Sequence, residues 1–171
     1  MLNLVKPDAK YKTQYIEMME YWKSTGEELA PWVLKEDYSD FDGMVKKLEN
    51  YSQGIDVGDN FVPNTTFWVY ESDNDKIVGA VNIRHYLNEA LLAYWGSIGY
   101  GIRPDARRKG YATESLRMAL DICRRMDMEK VLLSCNNYNT ASAKVIMSNG
   151  GVLENEVELE GRTLQRYWIK L

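Results

Sequence analysis

The stretch Ile98-Gly-Tyr-Gly-Ile-Arg-Pro-Asp-Ala-Arg-Arg-Lys-Gly-Tyr-Ala-Thr113 constrains the fold more than any other part of the chain. Ile98, Tyr100 and Ile102 alternate as a strand does, and Pro104, which has no N–H to give to a ladder, stops it. From Ala112 the apolar positions Leu116, Ala119, Leu120, Cys123 and Met126 recur at helical spacing. Arg107, Arg108, Lys109 and Gly110 thus fill a turn between a strand and a helix N-terminus. The first N–H groups of a helix lack intrahelical partners and carry the positive end of its dipole, so a phosphate set there meets backbone donors and basic side chains together. Between Arg103 and Thr113 the formal charge is +3, against −4 for the whole chain.

Two other phosphate motifs are excluded. A P-loop needs Gly-Lys-Ser/Thr, whereas the order here is Lys109-Gly110-Tyr111. Gly99-Tyr-Gly101 lies inside the strand and lacks the third glycine of a dinucleotide fingerprint. Glycine within a strand marks a bulge or a close approach to the backbone, which suits an extended ligand arm running along it.

The rest of the chain alternates helices and strands without linker or repeat, and its 171 residues are expected to form one domain. Asp8 caps a helix whose Tyr11, Tyr15, Met18 and Trp22 share a face, and a second helix carries Phe41, Val45 and Leu48. Tyr51 to Asn64 reads as a long ordered loop, a candidate lid. Strands follow at Thr66 to Tyr70 and from Ile77 to about Tyr86, turned at Ser72 to Asp75, where Asn and Asp tolerate left-handed backbone. After the helix to Met128 come a strand Val131 to Cys135, a helix opened by Asn139 and stopped at Gly150-Gly151, and strands near Leu153 to Leu159 and Gln165 to Ile169. The right-handed crossover from Ile98 to Cys135 makes its two strands parallel neighbours, with a ligand entering at their carboxyl ends. The expected fold is a mixed α/β arrangement, a mostly antiparallel central sheet with one parallel pair, flanked by helices.

Composition narrows the function. A pI near 5.2 argues against nucleic-acid binding. No apolar run matches a membrane span and the N-terminus has no signal-peptide core, so a cytoplasmic location is expected. Cys123 and Cys135 have no nearby Cys or His to complete a metal set and read as buried thiols.

Arg107-x-x-Gly110-x-Ala112 after Ile102-Arg-Pro104 resembles the acetyl-coenzyme A pyrophosphate loop of the GNAT superfamily of N-acetyltransferases. Asn139-Thr-Ala-Ser142-Ala-Lys-Val145-Ile-Met-Ser-Asn-Gly150-Gly151 is similar to that family's closing helix. The Arg84-His-Tyr-Leu-Asn88 segment resembles one found in a group of its bacterial members. The resemblance implies a GNAT-like fold with a splayed strand pair and acetyl-coenzyme A as co-substrate. It implies that Tyr100, Gly101 and Ile102 line the pantetheine arm, that Arg107, Arg108, Lys109, Gly110, Tyr111, Ala112 and Thr113 surround the pyrophosphate, and that Asn139 and Ser142 face the arm. The family's Tyr seven residues after the Asn is Ile146 here, which leaves the acid unassigned.

Amine attack on a thioester needs a base, because a free alkylammonium has a pKa on the order of 10. His85, the one imidazole, and Tyr138 are the catalytic candidates; Glu89 reads equally as a surface residue, and water-relayed deprotonation is an alternative. The amide of Ile102, left unpaired by a bulge, is the candidate oxyanion donor. The acceptor is expected to be a small-molecule or peptide amine. The run Glu27 to Asp42 sums to −5 and would draw a cation, and Trp68, Trp95 and Phe61-Val-Pro63 could shape an aromatic pocket. The Tyr- and Trp-rich first helices leave room for a homodimer. A second reading is a non-catalytic acyl-coenzyme A sensor.

Overall fold

The computed structural model describes residues 1–171. Its elements run β1 (Leu2–Val5), α1 (Lys12–Ser24), α2 (Phe41–Ser52), β2 (Asn64–Glu71), β3 (Lys76–Arg84), β4 (Ile98–Ile102), α3 (Tyr111–Arg125), β5 (Lys130–Asn136), α4 (Thr140–Ser148), β6 (Val152–Leu159) and β7 (Arg162–Lys170). No helix is long and apolar enough to cross a membrane. Strand β1 pairs antiparallel with β2; four residues carry too short an alternation to be read without that partner. A single π-helical turn, Leu91–Trp95, between β3 and β4 is likewise absent from the sequence reading.

The strands form two sheets, each antiparallel throughout: β1-β2-β3-β4 and β5-β7-β6. The expectation of β4 and β5 as ladder neighbours is therefore corrected. They meet at one joint, where the Ser97 N–H donates to the Leu132 carbonyl at 2.6 Å and the Leu132 N–H donates to Ser97 Oγ at 3.0 Å. Gly96 makes that approach feasible: its φ is +72° and a Cβ there would overlap the Leu132 carbonyl. Beyond the joint β4 finds other partners, Tyr100 reaching α4 through its hydroxyl, 2.8 Å from Ser142 Oγ.

The first sheet is covered on both faces. On the front, α1 buries Tyr15, Met18, Met19 and Trp22 at helical spacing and α2 buries Phe41, Met44, Leu48 and Tyr51, closing over Trp68, Ile77 and Ala80. Met44 rather than the half-buried Val45 carries the middle of the α2 stripe. Tyr15, Trp22 and Trp68 are thus spent in this core, so no aromatic acceptor pocket containing Trp68 forms. On the back, Leu116, Ala119, Leu120 and Cys123 of α3 and Ile146 of α4 pack on Val81, Ile83, Ile98 and Ile102, continuing to Val131, Leu133, Tyr167 and Ile169 of the second sheet. Both cysteines are free and buried. Asp8 caps a short turn, Ala9–Tyr11, ahead of α1, while Asp40 caps α2 by accepting from the Gly43 N–H at 3.0 Å.

Arg103, counted in the sequence among the cations of the anion turn, lies inside. Only 2% exposed, it reaches Glu17 on α1 through both terminal nitrogens, binds Asp105 at 2.7 Å through Nε, and stacks 4.6 Å over Tyr21. The Arg103 hydrogen bonds hold the Glu17 carboxyl below its usual range. Arg103→Ala is expected to cost about 2–3 kcal/mol in a denaturant melt, below the 3–5 kcal/mol of a fully buried pair because both carboxylates can rehydrate. A depressed carboxyl stabilises above its unfolded pKa, so the Arg103-dependent part of stability should fade as pH drops below about 4.5 and be missing in the variant.

Candidate active site

After β4 the chain makes one tight turn, Pro104–Ala106, and rises into α3 through Arg108 (φ +60°) and Gly110 (φ +78°), both left-handed. Six consecutive N–H groups, from Arg108 to Thr113, find no acceptor in the protein, and the first helical bond is Glu114 N–H to the Gly110 carbonyl at 3.0 Å. A Cβ at Gly110 would meet nothing within 4 Å, so the cradle is open. Donors in series at a helix start, with exposed Arg108 and Lys109 alongside, suit a diphosphate. Tyr111 and Thr113 also brace the helix start: the Tyr111 hydroxyl donates to Glu71 at 2.6 Å, and the Thr113 carbonyl accepts from Asn149. Ala112 is partly buried behind them.

Arg107 is exposed as well, but its donors are engaged. Its Nε donates to the Ile102 carbonyl at 3.0 Å, its Nη2 pairs with Glu27 at 2.7 Å, and its plane lies 6.0 Å from Trp22. It locks the end of β4 to the segment after α1.

Strand β4 pairs with β3 in unbroken register, so no bulge frees an amide. The alternation of the ladder does so instead. Because Arg84 N–H donates to Ser97 (2.8 Å) and Arg103 N–H to Val78 (2.9 Å), the amides of Tyr100 and Ile102 point away from β3, toward the side where β5 has diverged. The strand glycines serve a different end from the one expected. A Cβ on Gly101 would overlap the Ala30 carbonyl, and one on Gly99 would stand 3.1 Å from Pro31 and 3.2 Å from Arg84 Nη2. What comes close to this backbone is the protein's own 30–31 segment.

Across the divergence, Asn139 caps α4, its Oδ1 accepting from the Ser142 N–H at 3.1 Å. Ser142 Oγ meets Tyr100, whose phenol burial pushes up to about 12, and burial likewise raises the nearby Cys135 thiol. Ile146 is sealed in the core. Tyr138 is 73% exposed and its hydroxyl makes no hydrogen bond within the protein.

His85 follows β3 on the β2 side: its Nε2 lies 2.7 Å from Thr65 Oγ1 and its N–H donates to Pro63 at 2.9 Å. Burial lowers its pKa below 6.5 and keeps it neutral at pH 7. That Pro63 bond, with Asn88 Nδ2 donating to Asn60 at 3.1 Å, latches the 53–63 loop, and Phe61 stacks 5.2 Å from Trp32. Glu89 is exposed. Arg84, overlooked in the sequence, is a partly buried guanidinium on the front of β4 with no carboxylate partner; burial pulls it down to about 10. Its marks in the sequence were its place at a strand end and at the head of the Arg84-His-Tyr-Leu-Asn88 segment.

Three of the six acids of the 27–42 run are in ion pairs. Glu27 pairs with Arg107, Glu28 with Lys35, Glu36 with Lys47 and the Tyr51 hydroxyl; Asp37 binds Ser39 and Asp40 caps α2. A cavity of about 440 Å³ opens among Lys23, Leu29, Lys35, Asp37 and Tyr38, but no residue of β4 or of the 107–113 turn lines it.

Free amides at a helix start run on into an unpaired strand edge, and the family of the chain is shown by comparison. The model of the acetyltransferase (GNAT) domain family matches residues 7–152, and the chain belongs to that family of acetyl-CoA-dependent N-acetyltransferases. The fold is similar to that of RimL, the ribosomal L7/L12 α-N-protein acetyltransferase, in complex with coenzyme A (TM-score 0.71, 16% identity, 99% of this chain and 94% of that one). It is similar also to the microcin C7 self-immunity acetyltransferase MccE with acetyl-CoA and AMP (0.69, 16%, 99% and 92%). A third is a point mutant of spermidine N-acetyltransferase SpeG from Vibrio cholerae (0.62, 17%, 99% and 94%). A search of curated proteins finds no match.

Gly110→Val should weaken coenzyme A binding at least tenfold by calorimetry. It should also lower unfolding free energy by about 1–2 kcal/mol, since a side chain at φ +78° is strained. If a bound diphosphate draws Arg107 off Glu27, Glu27→Gln should tighten coenzyme A binding about two- to fivefold, the size of a half-exposed pair; unchanged affinity would show that Arg107 stays a clamp.

Proposed function

We propose that residues 1–171 act as one catalytic unit that moves acetyl from acetyl-coenzyme A to a primary amine by direct attack. The observation that carries this reading is the continuity of two unspent donor sets, the amides from Arg108 to Thr113 and those of Tyr100 and Ile102. When bound, coenzyme A supplies the activated thioester. Gly110, Tyr111, Ala112 and Thr113 offer backbone N–H groups to its diphosphate, with Arg108 and Lys109 adding charge and Arg107 within a side-chain rotation. The ladder-free edge of Tyr100, Gly101 and Ile102 receives the extended arm, and the same amides answer negative charge developing on a carbonyl. Ser142 and the capped N-terminus at Asn139 close the opposite side. MccE with acetyl-CoA and RimL with coenzyme A support this assignment by likeness of fold.

For the base, a neutral His85 has the right protonation state, though its ring is held by Thr65. Water-relayed deprotonation asks nothing of it. Tyr138 would have to swing in from the surface.

The test is amine-dependent release of thiol from acetyl-coenzyme A across an amine panel. Turnover is expected; coenzyme A binding with no turnover on any amine would instead make the chain a sensor. With an accepted amine, His85→Ala should lower kcat and leave coenzyme A affinity unchanged. The acid limb of the pH–rate profile, lying below pH 6.5, should vanish with it. An identical profile in the variant would retire His85 in favour of water.

A further inference from the structure

We propose that Arg84 anchors the acceptor through a carboxylate a few bonds from its reacting amine, so that the substrate is a zwitterion of the amino-acid type. This rests on the transfer reading above and narrows it.

Arg84 ends β3 and crosses the front of β4 at Gly99, where the missing side chain leaves it room: a Cβ there would stand 3.2 and 3.4 Å from its two terminal nitrogens. Pro31 roofs the same spot. The only acceptors the protein gives it are the carbonyls of Trp95 and Gly96, each at 3.4 Å, at the outer limit of a hydrogen bond. It forms none of the molecule's ion pairs, and no acidic group contributes to its perturbation, which is due to burial alone. Arg103 and Arg166, the other deeply placed arginines, each have carboxylates. A guanidinium removed from water without counter-charge is a cost to the fold, and its planar fork of donors is shaped for a carboxylate.

The position gives the cation its use. Gly99 adjoins Tyr100, and Ile102 lies three residues on; at about 3.3 Å per residue, Arg84 stands roughly 5–10 Å from the amides assigned to the thioester. One amino-acid-sized acceptor spans that gap. Half of the acidic run is already ion-paired, which weakens the argument for a polycation, and a second ammonium would face Arg84 with like charge.

The experiment compares the common L-amino acids, the corresponding amino-acid amides, C-terminally amidated tripeptides beginning with Asp or Glu, and spermidine, by thiol release and by calorimetry on the coenzyme A-loaded protein. A preference of at least tenfold in kcat/KM for free acids over amides is expected, or the same preference for the acidic peptides over an Ala-initiated control; the first outcome assigns an α-carboxylate and the second a side-chain carboxylate. Arg84→Gln should erase the preference through KM, with kcat on amides and coenzyme A affinity changed less than twofold, and Arg84→Lys should restore part of it even if the Gln variant is unstable. Turnover without any preference, or best on spermidine, overturns the Arg84 site and leaves the transferase reading standing. Carboxylate-dependent binding without turnover retires the transferase reading and sustains the site. Absence of both binding and turnover across the panel overturns the site.

Discussion

The two hydrogen bonds between Ser97 and Leu132 are the constraint on which this arrangement depends. They join two sheets that are otherwise complete, and they do so at the start of β4, leaving the rest of its outer edge without a neighbour. Had the ladder run on, the amides of Tyr100 and Ile102 would be spent on β5 and the chain would have a seamless sheet with nothing to offer a ligand. An unpaired edge inside a protein is costly. The cost here is contained, because Arg107 caps the Ile102 carbonyl and the Tyr100 side chain bonds across to Ser142. What stays exposed is a short row of donors leading into the N–H cluster of α3.

The basic turn serves two purposes that its charge alone does not separate. Arg103 from the interior and Arg107 at the surface tie β4 to Glu17, Asp105 and Glu27, and so position the strand against the front helices. Arg108 and Lys109 form no ion pair. The sequence sum of +3 counted all of them equally; once Arg103 and Arg107 are matched to carboxylates, the pull on an anion comes mainly from the row of amides, which does not depend on side-chain reach or salt in the same degree.

Local features proved readable where a residue's chemistry acts on its own neighbours. Pro104 stops β4, Asp40 and Asn139 cap their helices, and the Ser72 to Asp75 turn closes a hairpin with Asp75 at φ +51°. The GNAT family assignment came from such local signals. Features set by distant partners were not readable. The four residues of β1 need β2, the Gly99 and Gly101 contacts depend on the 30–31 segment folding back, and the acidic run changed meaning once three of its carboxylates met cations up to 80 residues away. Arg84 is the reverse case: its significance lies in a partner it lacks, which no spacing rule registers.

Ile146 bears on whether this variant of the site can complete a transfer. The family's tyrosine at that place would protonate the departing sulfur, and an aliphatic chain sealed in the core cannot. Yet an alkyl thiol has a pKa near 8.5, far below that of an amine or alcohol, so a thiolate leaves with little assistance and can take its proton from water afterwards. Tyr100 is no replacement, because burial pushes its phenol up to about 12 and its hydroxyl is engaged with Ser142. The demanding proton is the one on the incoming ammonium, and the demanding charge is the one growing on the carbonyl oxygen. Losing the tyrosine therefore burdens the easiest step of the reaction; the off-ladder amides can answer the carbonyl charge, while the ammonium proton needs a separate acceptor, His85 or water.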